Sequence, residues 1–236
     1  MIPVNENVLE LSAKLNYAEK VKRSLDLIER AYREYGSRLV VANSLGKDSI
    51  VIWDLARKVS ADINQFIITT RFKPKATKKF MFEMAASCPL ARIYENSESI
   101  ESELYKKDPN LCCQLLKVEP TRRAIQEMKA RCWITGLRCT EGRTRTDLQE
   151  IEERDAGLIK LNPILLWTET EVWKYTAINN LPVNPLYEQG YRSLGCEPCT
   201  HLVVGGDERG GRWLGTSKCG GECGIHTSPL LSGAMQ

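Results

Sequence analysis

Short apolar runs alternate with helical segments along most of this chain, and that alternation restricts its fold more than any other feature. Residues 38–43 (RLVVAN), 63–70 (INQFIITT), 91–94 (ARIY) and 132–136 (CWITG) are too short for helices and read as strands. Residues 49–59 (SIVIWDLARKV), 75–86, 118–130 and 169–179 carry helical spacing, while 157–166 (GLIKLNPILL) read as a further strand and turn. Apolar strands alternating with helices predict an α/β fold, a mostly parallel twisted sheet with helices on both faces. Leu9, Leu11, Leu15, Val21, Leu25 and Ile28 recur at helical spacing, so one or two opening helices are expected within 1–36. From Pro182 onward Pro, Gly, Tyr and Cys rise and the helical period stops. The expected organisation is one α/β domain over 1–181. Residues 182–236 form an irregular Cys/Gly-rich C-terminal arm with too few apolar residues for a core of its own.

Charge and composition exclude several functional classes. The 33 Lys and Arg against 30 Asp and Glu leave a net charge of only +3, which is no footprint of a nucleic-acid partner. Charged residues interrupt every apolar stretch before it reaches membrane-spanning length, so no membrane association is expected. Residues 1–6 (MIPVNE) carry no basic segment leading into an apolar run, so no signal peptide is expected. The nine cysteines are odd in number, and in a chain of this length clustered cysteines are more often metal ligands or redox catalysts than a disulfide scaffold. A cytoplasmic location is the expectation.

Ser44-Leu45-Gly46-Lys47-Asp48-Ser49 stands between a strand and a helix expected to begin at Ser49. There, free backbone N–H groups and the positive end of a helix dipole meet a phosphate, with Ser44 and Ser49 as hydroxyl donors and Gly46 permitting a tight turn. The spacing is not that of a Walker A loop, and by itself such a turn equally well caps a helix. It resembles the pyrophosphate loop (SGGKDS) of the adenine-nucleotide α-hydrolase-like superfamily, with Leu45 where that pattern usually has Gly.

Cys112-Cys113 and Cys196-Glu197-Pro198-Cys199 form two ligand-like pairs. Soft sulfur selects iron–sulfur or zinc over harder ions. Alone, the CxxC half is equally a zinc knuckle or a redox disulfide, and the CC half a buried apolar pair. Their surroundings carry more. Cys112-Cys113 with Lys117-Val118-Glu119-Pro120, residues 133–138 (WITGLR) with Thr144-Arg145, residues 195–200 (GCEPCT), 206–213 (GDERGGRW) and 222–226 (ECGIH) follow in order. Together they resemble the motifs of the iron–sulfur assimilatory adenylyl-sulfate reductases, within the sulfonucleotide reductase family, from about residue 38 to 226.

That resemblance implies reduction of adenylyl sulfate to sulfite and AMP in sulfate assimilation, with thioredoxin or a similar dithiol as donor. Cys112, Cys113, Cys196 and Cys199 would ligate a [4Fe–4S] cluster. Cys223 would be the nucleophile, forming an S-sulfocysteine, in a Gly-rich tail (Gly220, Gly221, Gly224) able to swing. Only a thiolate reacts, so Cys223 needs positive neighbours, and His226, Arg209 and Arg212 are candidates. Substrate-binding residues are expected to be Ser44, Gly46, Lys47, Ser49, Lys117, Arg138, Arg145, Arg209 and Arg212. A homo-oligomer is possible. Departures from the family's pattern fall at Leu116 and Cys139, where Arg is usual, and at Gly142, where Ser is usual. Cys219 adds a thiol near Cys223, and Cys88 and Cys132 read as core residues. Other readings remain: use of the 3′-phosphorylated substrate, an ATP-dependent sulfur-transfer (thiolation) enzyme with an iron–sulfur cluster, and a zinc-stapled binding module.

Overall fold

The computed structural model describes residues 7–96, 101–218 and 221–231. Its centre is a six-stranded sheet: β1 (Leu39–Asn43), β2 (Asn64–Ile68), β3 (Ala91–Tyr94), β4 (Cys132–Ile134), β5 (Ile151–Glu153) and β6 (Ile159–Leu161). They lie in the order β3-β2-β1-β4-β6-β5, all parallel except β5, which runs antiparallel to β6. The sequence reading had no strand at β5. Ile-Glu-Glu is a short, charged edge strand, a composition that protects an edge from further pairing and erases its apolar signal.

Period-two alternation sends successive side chains to opposite faces. Leu39, Val41, Cys132, Ile134 and Leu161 pack on one face against α2 (Tyr17–Tyr35), α3 (Lys47–Val59) and α8 (Glu169–Ile178). Val40, Phe66, Tyr94 and Trp133 point the other way, onto Ala124 and Ile125 of α7 (Glu119–Glu127) and onto Leu230. The expected opening helices are two, α1 (Val8–Lys14) and α2, separated where Asn16 forms a capping box with Glu19. Helix α4 (Lys75–Ala86) covers the sheet's outer end, and a short α5 (Leu104–Lys107) follows β3. Cys88 and Cys132 are buried core residues, as expected.

The helix expected over 118–130 starts earlier. It is assembled from α6 (Pro109–Cys113), a π turn (Gln114–Val118) and α7. Pro120 has no N–H for the Leu116 carbonyl and crowds it, and a widened turn just before the proline relieves that conflict without ending the helix. Among the described residues beyond 182, regular structure is confined to a single turn at Glu197–Cys199, a bridge between Thr200 and Arg212, and α9 (Gly224–Thr227). Cys219 and Gly220 lie outside the described residues. Among the described residues no helix is long and apolar enough to cross a membrane.

The α2 helix is pinned to the sheet by a buried polar contact. Ser24 Oγ donates to the Pro163 carbonyl (2.6 Å) and accepts from Trp167 Nε1 (3.0 Å). Ser24→Ala strands both groups in a dry interior, which costs on the order of 1–3 kcal/mol. The urea midpoint is expected to fall by that amount with an unchanged denaturant slope.

Candidate active site

The chain leaves β1 toward β2 and β3, then returns to β4 on the other side of β1. The carboxyl ends of β1 and β4 therefore part, and such a switch point is where parallel α/β sheets bind ligands. A cavity of about 180 Å³ opens there, floored by Ala42, Phe66, Ile68 and Trp133. Its rim is the loop 44–49, with α3 starting at Lys47, two residues before the expected Ser49. Asn43 Oδ1 accepts the Leu45 N–H (2.8 Å), and Ser49 Oγ donates to the Gly46 carbonyl (2.8 Å). Leu45 is held at φ +68°, a left-handed conformation that favours glycine and costs roughly 1–2 kcal/mol for other residues. Its side chain is buried with Ile50, Trp53 and Phe80, which offsets that cost. Gly136 lets the β4 exit pass close to the start of α3, because a Cβ there would meet the Asp48 carbonyl carbon at 3.0 Å.

The cations expected to bind anions divide into two sets. Four are already neutralised. Lys47 Nζ meets Glu208 (2.5 Å) and donates to the Arg192 carbonyl (2.7 Å), while Arg138 spans Asp48 and Glu208 (each 2.5 Å). Burial opposes the charge on Lys47, but the Asp48 and Glu208 carboxylates outweigh it and hold its pKa above the ordinary lysine value. Arg138 is fully buried and is not part of the cavity wall, so the structure sets it behind the loop as a clamp. Arg145 bonds Glu222 (2.8 Å) and Glu141, and Arg209 bonds Glu222 (2.9 Å) and Glu141 (3.5 Å). Despite its burial, Glu222 is held well below the usual carboxylate range, chiefly by Arg145.

The second set is not neutralised. Among the described residues, Lys117, Arg212 and Lys73 have no carboxylate in ion-pair range. Arg212 donates to the Leu194 carbonyl (2.6 Å), and its buried Nε has no hydrogen-bond partner. It fits because residue 195 is glycine, where a Cβ would stand 2.5 Å from the guanidinium. Burial, with Lys117 and Arg212 nearby, draws Lys73 down to about 8. Cys223 shares this corner. The Cys113 thiol donating toward it and the Lys117 ammonium hold it well below the ordinary thiol value against its burial.

His226 differs from the expectation that it supplies positive charge to Cys223. Its ring stacks on Trp133 (centroids 6.0 Å apart, planes 5° from parallel), and burial drives its pKa well below the ordinary value, leaving it neutral.

The four expected ligand cysteines converge although they are distant in sequence. Cys112 and Cys113 from α6 and Cys196 and Cys199 from the turn line one closed pocket, walled by Phe72, Tyr105, Pro109, Leu116 and Lys117. Phe72 joins the two halves, its carbonyl accepting the Glu197 N–H (2.8 Å) and its ring meeting Tyr105 edge to face. Among the described residues the only metal-ligating trio within 4.8 Å of one another is Asp48, Glu141 and Glu208. The four sulfurs are therefore spread wider than the roughly 3.8 Å between thiolates on one tetrahedral zinc. A soft, all-sulfur donor set of that width in apolar walls suits a polynuclear centre.

Lys73 and Glu222 were missed in the sequence reading. Lys73 follows β2, and the signal available was its place at the carboxyl end of a parallel strand. Glu222 looked like part of a motif rather than an ion-pair partner.

Sheet order, switch-point loop and cavity define an α/β protein with an adenine-nucleotide α-hydrolase-like fold. Its backbone superposes on FMN adenylyltransferase of Candida glabrata, solved with FAD and inorganic pyrophosphate (TM-score 0.63, 16% identity, 85% of this chain and 69% of that one). It also superposes on phosphoadenylyl-sulfate reductase of Candida auris (TM-score 0.66, 24% identity, 86% of this chain and 99% of that one). The phosphoadenosine phosphosulfate reductase domain matches residues 38–202, and the chain belongs to that family. A curated relative, adenosine 5′-phosphosulfate reductase of Halalkalibacterium halodurans, is 36% identical over 224 residues, covering 90% of this chain and 95% of that protein.

Glu208→Gln removes one of the two anions that Lys47 and Arg138 share, the other being Asp48. Breaking a buried pair in this way costs about 3–5 kcal/mol. The variant is expected to lose that much stability in urea unfolding, and a loss below 1 kcal/mol would show that the network is not holding the loop.

Proposed function

We propose that the chain reduces adenylyl sulfate to sulfite and AMP, with thioredoxin or a similar dithiol supplying electrons, in sulfate assimilation. The observation that carries this reading is the meeting of Cys223 with Lys117 and Arg212 at the end of the cavity that begins at the phosphate loop. The activity named for the Halalkalibacterium relative supports the same substrate.

In this reading the base lies against the apolar floor, and the phosphosulfate reaches from Ser44, Gly46 and Ser49 toward Lys117 and Arg212. The Cys223 thiolate attacks sulfur. The bond from sulfur to the bridging phosphate oxygen breaks, and its electron pair leaves with AMP, giving an S-sulfocysteine. A donor thiolate then attacks Cys223 Sγ, sulfite departs with the bonding pair, and the second donor thiol resolves the mixed disulfide. Sulfur goes from the sulfate to the sulfite oxidation state, and the donor dithiol is oxidised to a disulfide. Arg145 and Arg209 hold Glu222 and so position Cys223, whose N–H donates to Glu222 Oε1 (2.9 Å). Lys47 and Arg138 keep the loop in shape.

Cys112, Cys113, Cys196 and Cys199 would hold a [4Fe–4S] cluster. When bound, it supplies fixed charge beside Lys117 and a tie between α6 and the Glu197–Cys199 turn. With Cys113 committed as a ligand, its thiol no longer donates toward Cys223, and Lys117 and Arg212 keep that thiolate ionised. His226, neutral and stacked on Trp133, sets the orientation of the tail.

The test is anaerobic sulfite release with adenylyl sulfate and its 3′-phosphorylated form side by side. Turnover of adenylyl sulfate at least tenfold faster is expected; turnover of neither would sink the reading. Cys223→Ser is expected to abolish the sulfonated enzyme seen by mass spectrometry in a donor-free single turnover, while the brown absorbance of the cluster persists. Loss of that absorbance would show that the nucleophile and the ligand set are not separate.

A further inference from the structure

Lys73 occupies a position no motif pointed to. The turn that carries it is rigid: its N–H bonds the Thr70 carbonyl (3.0 Å), Phe72 N–H bonds Thr70 Oγ1 (3.2 Å), and Pro74 follows. Its ammonium lies 3.4 Å from the Ser44 carbonyl, at the loop end of the cavity, and it also faces Cys196, Lys117, Arg212 and Cys223. The neighbours Arg71 and Lys75 are exposed to solvent, whereas Lys73 is half-buried and turned inward.

Among the described residues these three cations have no carboxylate in ion-pair range and they repel one another, a cost the fold carries only if an anion shares the space. Everywhere else in the cavity each cation has its acid. On the reading above, three negative charges meet there: one on the substrate phosphate, one on its sulfate and one on the Cys223 thiolate. Lys117 and Arg212 stand beside the thiolate and the sulfate, and Lys73, alone in touching the loop backbone, stands beside the phosphate.

We propose that Lys73 is a catalytic residue that contacts the substrate phosphate and stabilises the oxygen that leaves with AMP. This rests on the reaction proposed above. When the S–O bond breaks, the electron pair passes to the phosphate, whose charge goes from one negative to two, while the sulfur side falls from two negative charges, on thiolate and sulfate, to the single one of the S-sulfocysteine. Charge thus builds on the side where Lys73 sits, and a preorganised cation aimed at developing charge lowers the barrier more than it strengthens ground-state binding.

The experiment compares the full-length, cluster-loaded protein with Lys73→Gln, Lys73→Met, Lys73→Arg and the exposed control Lys75→Ala. The first readout is the rate of S-sulfocysteine formation in a single turnover without donor. Lys73→Gln and Lys73→Met are expected to lose about 100-fold, the scale of one lost transition-state contact, with a smaller change in KM. Lys73→Arg should recover at least a tenth of the unmodified rate, and Lys75→Ala should match it. A folded neutral variant within twofold of the unmodified rate would overturn the proposal. The second readout is AMP affinity by calorimetry, which separates this inference from the reaction itself. If the unmodified chain forms no S-sulfocysteine yet binds AMP at least tenfold tighter than the neutral variants, the reaction assigned above fails and the phosphate contact stands. Equal AMP affinity in all variants removes the contact as well.

Discussion

Glu208 is the residue on which the rest of the site depends. One carboxylate accepts both Lys47, at the first turn of α3, and Arg138, beyond β4, so two elements from opposite sides of the switch point are tied to the C-terminal segment by a shared buried anion. Without it the two buried cations would have Asp48 as their one shared acid and would repel each other more strongly at low dielectric. The turn bearing Glu208 also bears Arg209 and Arg212, so placing that carboxylate places both arginines. Gly195 and Gly211 complete the arrangement by sterics: a Cβ at 195 would strike Arg212, and one at 211 would lie 2.0 Å from the His201 carbonyl oxygen.

The contrast between satisfied and unsatisfied cations gives the cavity its direction. On one side, Arg145 and Arg209 share Glu141 and Glu222 in a closed network, and Glu222 adjoins Cys223 in the chain. On the other side, Lys73, Lys117 and Arg212 face Cys196 and Cys223 with no carboxylate in ion-pair range among the described residues. Charge added by a ligand is therefore stabilised most beside Lys73, Lys117 and Arg212, and least beside the closed Arg145–Arg209 network. The pocket lined by the four remaining clustered cysteines shares the Lys117 wall with this cavity, so whatever binds those sulfurs acts on the anion corner through one side chain.

Much of this was legible before any coordinates. Residues 38–43 and 132–136 read as buried strands because both faces of a central parallel strand are apolar, and β1 and β4 lie there. Ile151–Glu153 escaped because an edge strand has no such pattern. The cysteine pairs and Cys223 could be named from their motifs, and the structure brings the four clustered thiols to one pocket with Cys223 at its edge. The arginines were harder. Arg138 and Arg212 look alike as letters, yet one is fully buried between two carboxylates and the other has an unpartnered Nε. His226 looked like a source of positive charge and is instead a neutral ring on Trp133.

The sequence by itself determined the α/β sheet, the strand-to-helix phosphate loop and the residue types available to the site, because hydrophobic period and backbone chemistry are local properties of the chain. Only the tertiary structure decided which cations keep a usable charge, since neutralisation depends on which carboxylate arrives from a distant segment. Glu208 silences Lys47 and Arg138 from 161 and 70 residues away, and no periodicity along the chain records that pairing. The same reason hid Lys73. Its place beside Lys117 and Arg212 without a carboxylate in ion-pair range, among the described residues, exists only in three dimensions.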